Sequence, residues 1–108
     1  MPTRPDTLQG SLPLLVLTIL HRRGPLHGYA IAQRIHALSG EELSVEEGSL
    51  YPALQKLLLK GWVKATPAIS DSGRAVREYR LTTAGRKQLD RERANYRRVT
   101  TAIDAVLE

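Results

Sequence analysis

Apolar residues recur at helical spacing in three successive parts of this chain, and a glycine ends each of them. The first part, residues 12–20, is apolar almost all round, so we expect its helix to be covered on more than one side. Ser11 is the predicted N-cap of this helix, and residues 21–25 close it with basic side chains and a Gly-Pro break. A second helix is predicted over about 28–39.

The third helix is expected to begin between Glu46 and Gly48 and to run to Lys60. Pro52 sets this start, because a proline ring clashes in a helix interior and belongs in or near the first turn. A Ser-x-x-Glu capping box at residues 44–47 leaves an earlier start open. The side chains expected on the outward face or at its border are Ser49, Tyr51, Pro52, Gln55, Lys56 and Lys60.

Two extended segments, 62–69 and 75–81, follow directly and are joined by a turn rich in Ser, Asp and Gly. Pro67 cannot donate to a strand ladder, so its strand is expected at a sheet edge. Trp62 is expected to pack under the hairpin, and ligand binding by this ring is the weaker alternative. The elements together predict a mainly α fold with a small β-hairpin, that is, a winged helix-turn-helix.

The last segment predicts a long helix that begins after Thr82 or Thr83. Apolar residues repeat there every seven positions in two interleaved series, which only Glu92 interrupts. Such a seam favours pairing with a second subunit, and a helix folded back on its own domain is the alternative. Including two residues of the first helix, the expected dimer contacts are Leu14, Leu17, Leu89, Tyr96, Val99, Ile103 and Val106.

Charge indicates a polyanionic partner. Sixteen Lys and Arg against 11 Asp and Glu give the 108-residue chain a net charge of +5, and residues 60–81 hold five of the cations against two acids. A merely soluble basic protein would share the total charge, but not its concentration on one helix-and-hairpin unit. The acidic residues just before or at the start of the third helix should repel phosphates and shift phosphate contacts toward the hairpin; they are Glu41, Glu42, Glu46 and Glu47. The predicted DNA contacts are Ser49, Tyr51, Pro52, Gln55, Lys56, Lys64, Arg74 and Arg77.

Other classes of function find little support in the residues. The chain has no cysteine, and its three histidines lack zinc-ligand spacing. No nucleophile elbow, phosphate-binding loop or dinucleotide-binding glycine motif is present, so we expect no enzyme, no cofactor and no metal. The N-terminal residues lack the apolar core of a signal peptide, and residues 12–20 are too few to cross a bilayer, which needs about 20. We therefore expect a cytoplasmic protein without a membrane partner.

Four motifs together resemble the PadR family of bacterial transcriptional regulators. They are GPLHGY at 24–29, GSLYPAL at 48–54, the segment from Leu57 to GWV at 61–63, and YRLT at 79–82 followed by Gly85. The resemblance extends over about residues 8–108, and the single C-terminal helix is similar to that of the compact subgroup. The chain departs from the family pattern at Ala75 and Glu78 on the hairpin.

The resemblance implies a homodimeric repressor on a (pseudo)palindromic operator, with the C-terminal and first helices crossing to the other subunit. It adds Tyr29 to the expected DNA contacts. Because some members bind aromatic effectors near the dimer centre, Tyr96 has two open interpretations, simple packing or an effector contact.

The expected organisation is a flexible lead-in over 1–9, a DNA-binding domain over 10–81 and a dimerisation helix over 82–108. A winged-helix module that binds a protein instead of DNA is the alternative.

Overall fold

The computed structural model describes residues 4–108, with side chains from residue 10 onward. The described residues form four helices and three strands. They are α1 Arg4–Arg23, β1 Leu26–His27, α2 Gly28–Leu38, α3 Glu47–Leu59, β2 Val63–Ile69, β3 Ala75–Leu81 and α4 Thr83–Leu107. The predicted fold class, mainly helical with a small antiparallel sheet and a C-terminal helix, is confirmed.

The start of α1 differs from the prediction. The helix begins at Arg4, so Ser11 lies inside it and is not its cap, and residues 4–9 of the expected lead-in are helical. Residues 1–3 lie outside the described part of the chain. Pro13 lies inside the helix, where it removes one hydrogen bond. Leu12 and Val16, before and after this proline, are buried in the core. The packing of the helix outweighs the preference of proline for the first turn of a helix.

The helix-turn-helix boundaries agree with the prediction more closely. Gly24 follows α1 with a φ of +87°, the left-handed conformation in which glycine commonly ends helices. α3 begins at Glu47, within the expected window, and its N-cap Glu46 makes no side-chain capping bond. The earlier start implied by the capping box was therefore wrong. Pro52 is the sixth residue of α3 and lies in the second turn of the helix, whereas it was expected in or near the first turn.

The sheet has the order β1-β3-β2, with both pairs antiparallel. β2 is an edge strand, which confirms the prediction made from Pro67. β1 was not predicted, because two residues are too few to show an alternating pattern. Leu26 pairs with Tyr79 and His27 with Glu78, so β1 joins the start of α2 to the hairpin that we call the wing, residues 63–81.

The hydrophobic core of the described residues lies between α1, α2, α3, the base of the wing and the first turns of α4. Trp62 is half-buried against it, as predicted. Thr82 is the N-cap of α4: its hydroxyl accepts the N–H of Gly85 at 3.0 Å and donates to the carbonyl of Gly61 at 2.7 Å. The core residues are Leu12, Val16, Leu17, Ile19, Leu20, Ile31, Ile35, Leu50, Leu54, Leu57, Val63, Tyr79 and Leu89.

Two residues that were predicted to form dimer contacts lie in this core. Leu17 and Leu89 were expected in a subunit seam, but both are 0% exposed within their own protomer. The first turns of α4 pack on α1, so the seven-residue repeat serves the intramolecular core at Leu89 and reaches the surface only further along. Leu14 is half-buried, and Tyr96, Val99, Ile103 and Val106 are exposed.

No helix in the described part of the chain is long and apolar enough to cross a membrane.

Candidate nucleic-acid interface

An open groove of about 820 Å³ lies between the start of α2, one side of α3 and the wing. It brings together residues that are far apart in the sequence but were expected to share one function. The predicted DNA contacts that line it are Tyr29, Tyr51, Gln55, Arg74 and Arg77.

Tyr51 forms the junction between α2 and α3. Its ring lies against the backbone of Gly28, so that a β-carbon at residue 28 would be 2.8 Å from the phenol oxygen. Gly28 is buried for this reason, although it begins a helix at the edge of the groove. The close approach fixes the position of the Tyr51 ring relative to α2.

The pKa of the Tyr51 phenol is raised above its usual range, first by burial and then by the neighbouring Glu47 carboxylate and Tyr79. An ordinary phenol is already neutral at physiological pH, and the raised pKa extends the neutral range of Tyr51 to more alkaline pH. A neutral hydroxyl can donate a hydrogen bond to a phosphate oxygen, which a phenolate cannot do.

His27 was not among the predicted DNA contacts, yet it lines the groove. Its Nδ1 accepts the backbone N–H of Ala30 at 3.3 Å and so caps α2. The ring is nearly parallel to that of Tyr29, with 6.5 Å between the centroids. Histidine is an uncommon N-cap residue, since Ser, Thr, Asp and Asn are the preferred residues at this position.

The wing divides its basic residues between two faces. Side chains alternate along a strand, so Arg77 lies on the same face as Tyr79, and its guanidinium carbon is 5.9 Å from the centre of that ring. Lys64 pairs with Arg80 in the strand register, and both lie on the other face. Arg77 therefore faces the groove, whereas Lys64, a predicted contact, does not line it.

The tip of the wing is a tight turn that places Arg74 at the mouth of the groove. Ser70 closes it through two contacts with Arg74, its N–H donating to the Arg74 carbonyl at 2.8 Å and its hydroxyl accepting the Arg74 N–H at 3.2 Å. Gly73 has a φ of +84°, which glycine adopts without strain.

Three predicted residues of α3 lie outside the groove. Pro52 and Lys56 are exposed and Ser49 is half-buried, and none of them lines it. Two acids, Glu47 and Asp71, are part of the lining. Glu47 is one of the acids expected to repel phosphates, and its carboxylate is close enough to Tyr51 to affect the pKa of that phenol. The repulsion of phosphates stays a prediction.

Comparison with known proteins relates this chain to one family of regulators. The model of the "Transcriptional regulator PadR-like family" matches residues 16–91. An uncharacterized 37.1 kDa protein in transposon TN4556 of Streptomyces fradiae is 42% identical over 90 residues, which are 83% of this chain and 24% of that protein. This chain thus spans about a quarter of the length of that relative. A protein from Lysinibacillus sphaericus is 27% identical over 97% of this chain and 95% of its own length.

Solved structures of transcriptional regulators are also similar to this chain. A PadR family transcriptional regulator from Eggerthella lenta is 26% identical with a TM-score of 0.79, over 96% of this chain and 88% of that one. A transcriptional regulator from Clostridium thermocellum, 22% identical with a TM-score of 0.86 over 95% and 99% of the two chains, shares the fold. Since the family consists of transcriptional regulators, the expectation that the chain is not an enzyme is confirmed at that level. The chain belongs to the PadR-like family of transcriptional regulators.

Proposed function

We propose that this chain is a dimeric, sequence-specific DNA-binding regulator that represses transcription from a (pseudo)palindromic operator. The observation that supports this most is the groove, because it joins two arginines of the wing to polar side chains of α2 and α3. Family membership supports the general part of the proposal, a DNA-binding regulator.

Each part of the groove has a distinct role in this proposal. Arg74 and Arg77 contact phosphates or enter the minor groove, and the hydroxyls of Tyr29 and Tyr51 bond to phosphate oxygens. Gln55 reads base edges in the major groove. Ser49, Pro52 and Lys56 remain predicted contacts on the neighbouring surface of α3.

The dimer rests on α4. Tyr96, Val99, Ile103 and Val106 expose apolar surface in a single chain, and a second copy that covered them would bring two grooves onto one duplex. Two chains carry a formal charge of +10 (2 × 5), so binding should weaken steeply as salt rises. We also retain Tyr96, whose ring is half exposed, as the candidate contact for a small aromatic effector.

A module that binds protein is the second candidate, favoured by the carboxylates of Glu47 and Asp71 in the groove. The two candidates differ in their response to double-stranded DNA. We would footprint the purified protein on its own upstream region, beside a scrambled duplex of equal length. The DNA-binding proposal expects a symmetric, salt-sensitive protected site on the first duplex alone. Equal and weak binding to both duplexes would favour the protein-binding module.

A further inference from the structure

The outer half of the wing carries exposed apolar side chains on the face that also carries Arg77. Ile69, the last residue of β2, pairs with Ala75, the first residue of β3. Opposite residues of an antiparallel pair point to the same face, as does every second residue of a strand, so this pair shares the face of Arg77 and Tyr79. Ile69 is 70% exposed and Ala75 is also exposed. We call Ile69 and Ala75 the apolar rung.

The apolar rung lies beyond the part of the wing that packs in the core. Tyr79 on the same face is 3% exposed, and Ala75 is four residues nearer the tip. At about 3.4 Å per residue, the rung projects roughly 14 Å past Tyr79. A hairpin fixed at its base thus holds an isoleucine side chain out toward a partner.

Arginines lie before and behind the rung along the hairpin. Arg74 lies in the turn beyond it, where hydrogen bonds of 2.8 and 3.2 Å to Ser70 hold its backbone. Arg77 lies about 7 Å nearer the core, and its guanidinium carbon is 5.9 Å from the centre of the Tyr79 ring. A partner that fits this order has apolar surface between anionic groups. The DNA backbone fits, because each deoxyribose ring lies between two phosphates.

The spacing of the rung and Arg77 also fits the depth of the minor groove, which is about 7.5 Å in B-DNA. If the guanidinium of Arg77 binds phosphates at the rim, a rung about 7 Å further out lies inside the groove, between its sugar walls. The minor groove is about 6 Å wide, so one aliphatic side chain can approach both walls. In the major groove, about 12 Å wide, the same side chain would touch one wall at most.

We propose that the apolar rung packs against deoxyribose rings in the minor groove and makes the affinity depend on the width of that groove. The inference rests on the proposed DNA binding and names what the tip of the wing reads. A·T-rich tracts have a narrow minor groove, so both sugar walls approach Ile69 there. In a wider groove one wall loses the contact. The rung therefore contributes sequence preference without a hydrogen bond to any base.

This contact differs from an arginine contact in its response to salt. A phosphate contact releases counterions, so its contribution to affinity falls as the salt concentration rises. Burial of an aliphatic side chain against sugar releases none. A change at Ile69 should therefore reduce the affinity by the same factor at every salt concentration and leave the salt slope unchanged.

The test compares Ile69→Val with Ile69→Thr in the full chain. Both replacements are β-branched and similar in shape, so both suit a strand, but threonine brings a hydroxyl into the apolar contact. Fluorescence anisotropy on the footprinted duplex would measure the affinity at several salt concentrations. We expect the valine variant to bind within about twofold of wild type and the threonine variant about fivefold more weakly, with one salt slope for all three proteins.

Sequence preference gives a second readout. Hydroxyl radicals attack exposed deoxyribose, so hydroxyl-radical footprinting locates the sugars that the wing covers. A duplex with G·C pairs at those positions should bind wild type several-fold more weakly, and Ile69→Thr should reduce this preference. The matched control is Leu59→Thr, because Leu59 is 84% exposed on α3 and does not line the groove. It should bind as wild type does, and circular dichroism confirms that each variant folds.

The outcomes separate this inference from the function on which it rests. Equal binding by the valine and threonine variants, or a shallower salt slope for the threonine variant, would overturn the apolar contact and leave DNA binding standing. An equal loss in Leu59→Thr would also overturn it. A wild-type chain that binds neither duplex would overturn DNA binding itself. Weaker sugar protection under the wing in Ile69→Thr, at an unchanged salt slope, would support the proposal.

Discussion

The ring of Tyr51 on α3 lies against the backbone of Gly28 at the start of α2, with room for no β-carbon between them. This contact links the two helices of the helix-turn-helix and holds a neutral hydroxyl in the groove. Position 28 thus affects the geometry of the proposed interface although its own residue has no side chain.

Replacement of Gly28 by alanine should disturb this contact. A β-carbon in Gly28→Ala would lie 2.8 Å from the phenol oxygen and 3.0 Å from Cε1, so the Tyr51 ring must move. Because the ring is partly exposed and can rotate, we expect a stability loss of only about 1 kcal/mol but a clear loss of DNA affinity, roughly tenfold.

A double-mutant cycle with Tyr51→Ala separates the contact from other effects. Once the ring is absent, Gly28→Ala should have almost no further effect on DNA affinity. Additive losses would show that Gly28 acts independently of Tyr51. Gly48→Ala is a suitable control, since a β-carbon there meets no atom within 4 Å.

Gly85 in the first turn of α4 should be far less tolerant than Gly28. A β-carbon there would overlap the carbonyl oxygen of Trp62 and lie 2.8 Å from a methyl carbon of Leu81. Backbone cannot rotate away as a side chain can, so we expect Gly85→Ala to reduce the free energy of unfolding by about 3 kcal/mol. Urea denaturation measures this loss. Gly10 is a helical glycine with open space around it, so Gly10→Ala should instead raise the free energy of unfolding by about 0.5–1 kcal/mol. Equal effects of the two substitutions would contradict the role assigned to packing around Gly85.

Alkaline pH should destabilise the protein partly through Tyr51. Its raised pKa means that the folded state disfavours the phenolate, chiefly because of burial and then because of Glu47. The unfolded phenol ionises near its ordinary pKa of about 10, so the contribution of this group is present below that pH and is lost as pH rises through the folded pKa. We expect Tyr51→Phe to lose less stability than wild type between about pH 9 and about pH 11. The same substitution at Tyr29 controls for loss of a phenol, and identical curves for wild type and Tyr51→Phe would contradict the expectation.

The two faces of the wing should differ in their effect on DNA binding. Arg77 faces the groove over the Tyr79 ring, and Lys64 lies on the opposite face. Arg77→Ala should weaken binding to every duplex by a similar factor, about tenfold, because it removes a phosphate contact. Lys64→Ala removes the same charge from the other face and should have a much smaller effect. Fluorescence anisotropy with two unrelated duplexes would measure both, and an equal loss for the two variants would argue against the face assignment.

Much of the fold could be predicted because its elements have local causes. The cap at Thr82 and the edge position of Pro67 follow from single-residue chemistry, and both were confirmed. The start of α1 and the strand β1 could not be predicted, because tertiary packing and cross-strand pairing create them.

Five of the nine predicted DNA contacts line the groove, and the sequence did not indicate how they are arranged. Composition and spacing identified Tyr51 and Arg77, but only the strand register assigns Arg77 and Lys64 to different faces. An apolar repeat likewise cannot indicate which surface covers it. For this reason Leu89 was expected in a subunit seam and lies in the core of its own protomer.

The proposed function depends most on electrostatic recognition of DNA by the wing and the groove. Its most direct test is the dissociation constant for the footprinted duplex over a series of salt concentrations, for wild type and for Arg74→Ala/Arg77→Ala. We predict tight, strongly salt-dependent binding by wild type, and for the variant a weaker affinity with a shallower slope, by about one unit for each lost phosphate contact. Equal affinity and equal slope for the two proteins at every salt concentration would contradict it.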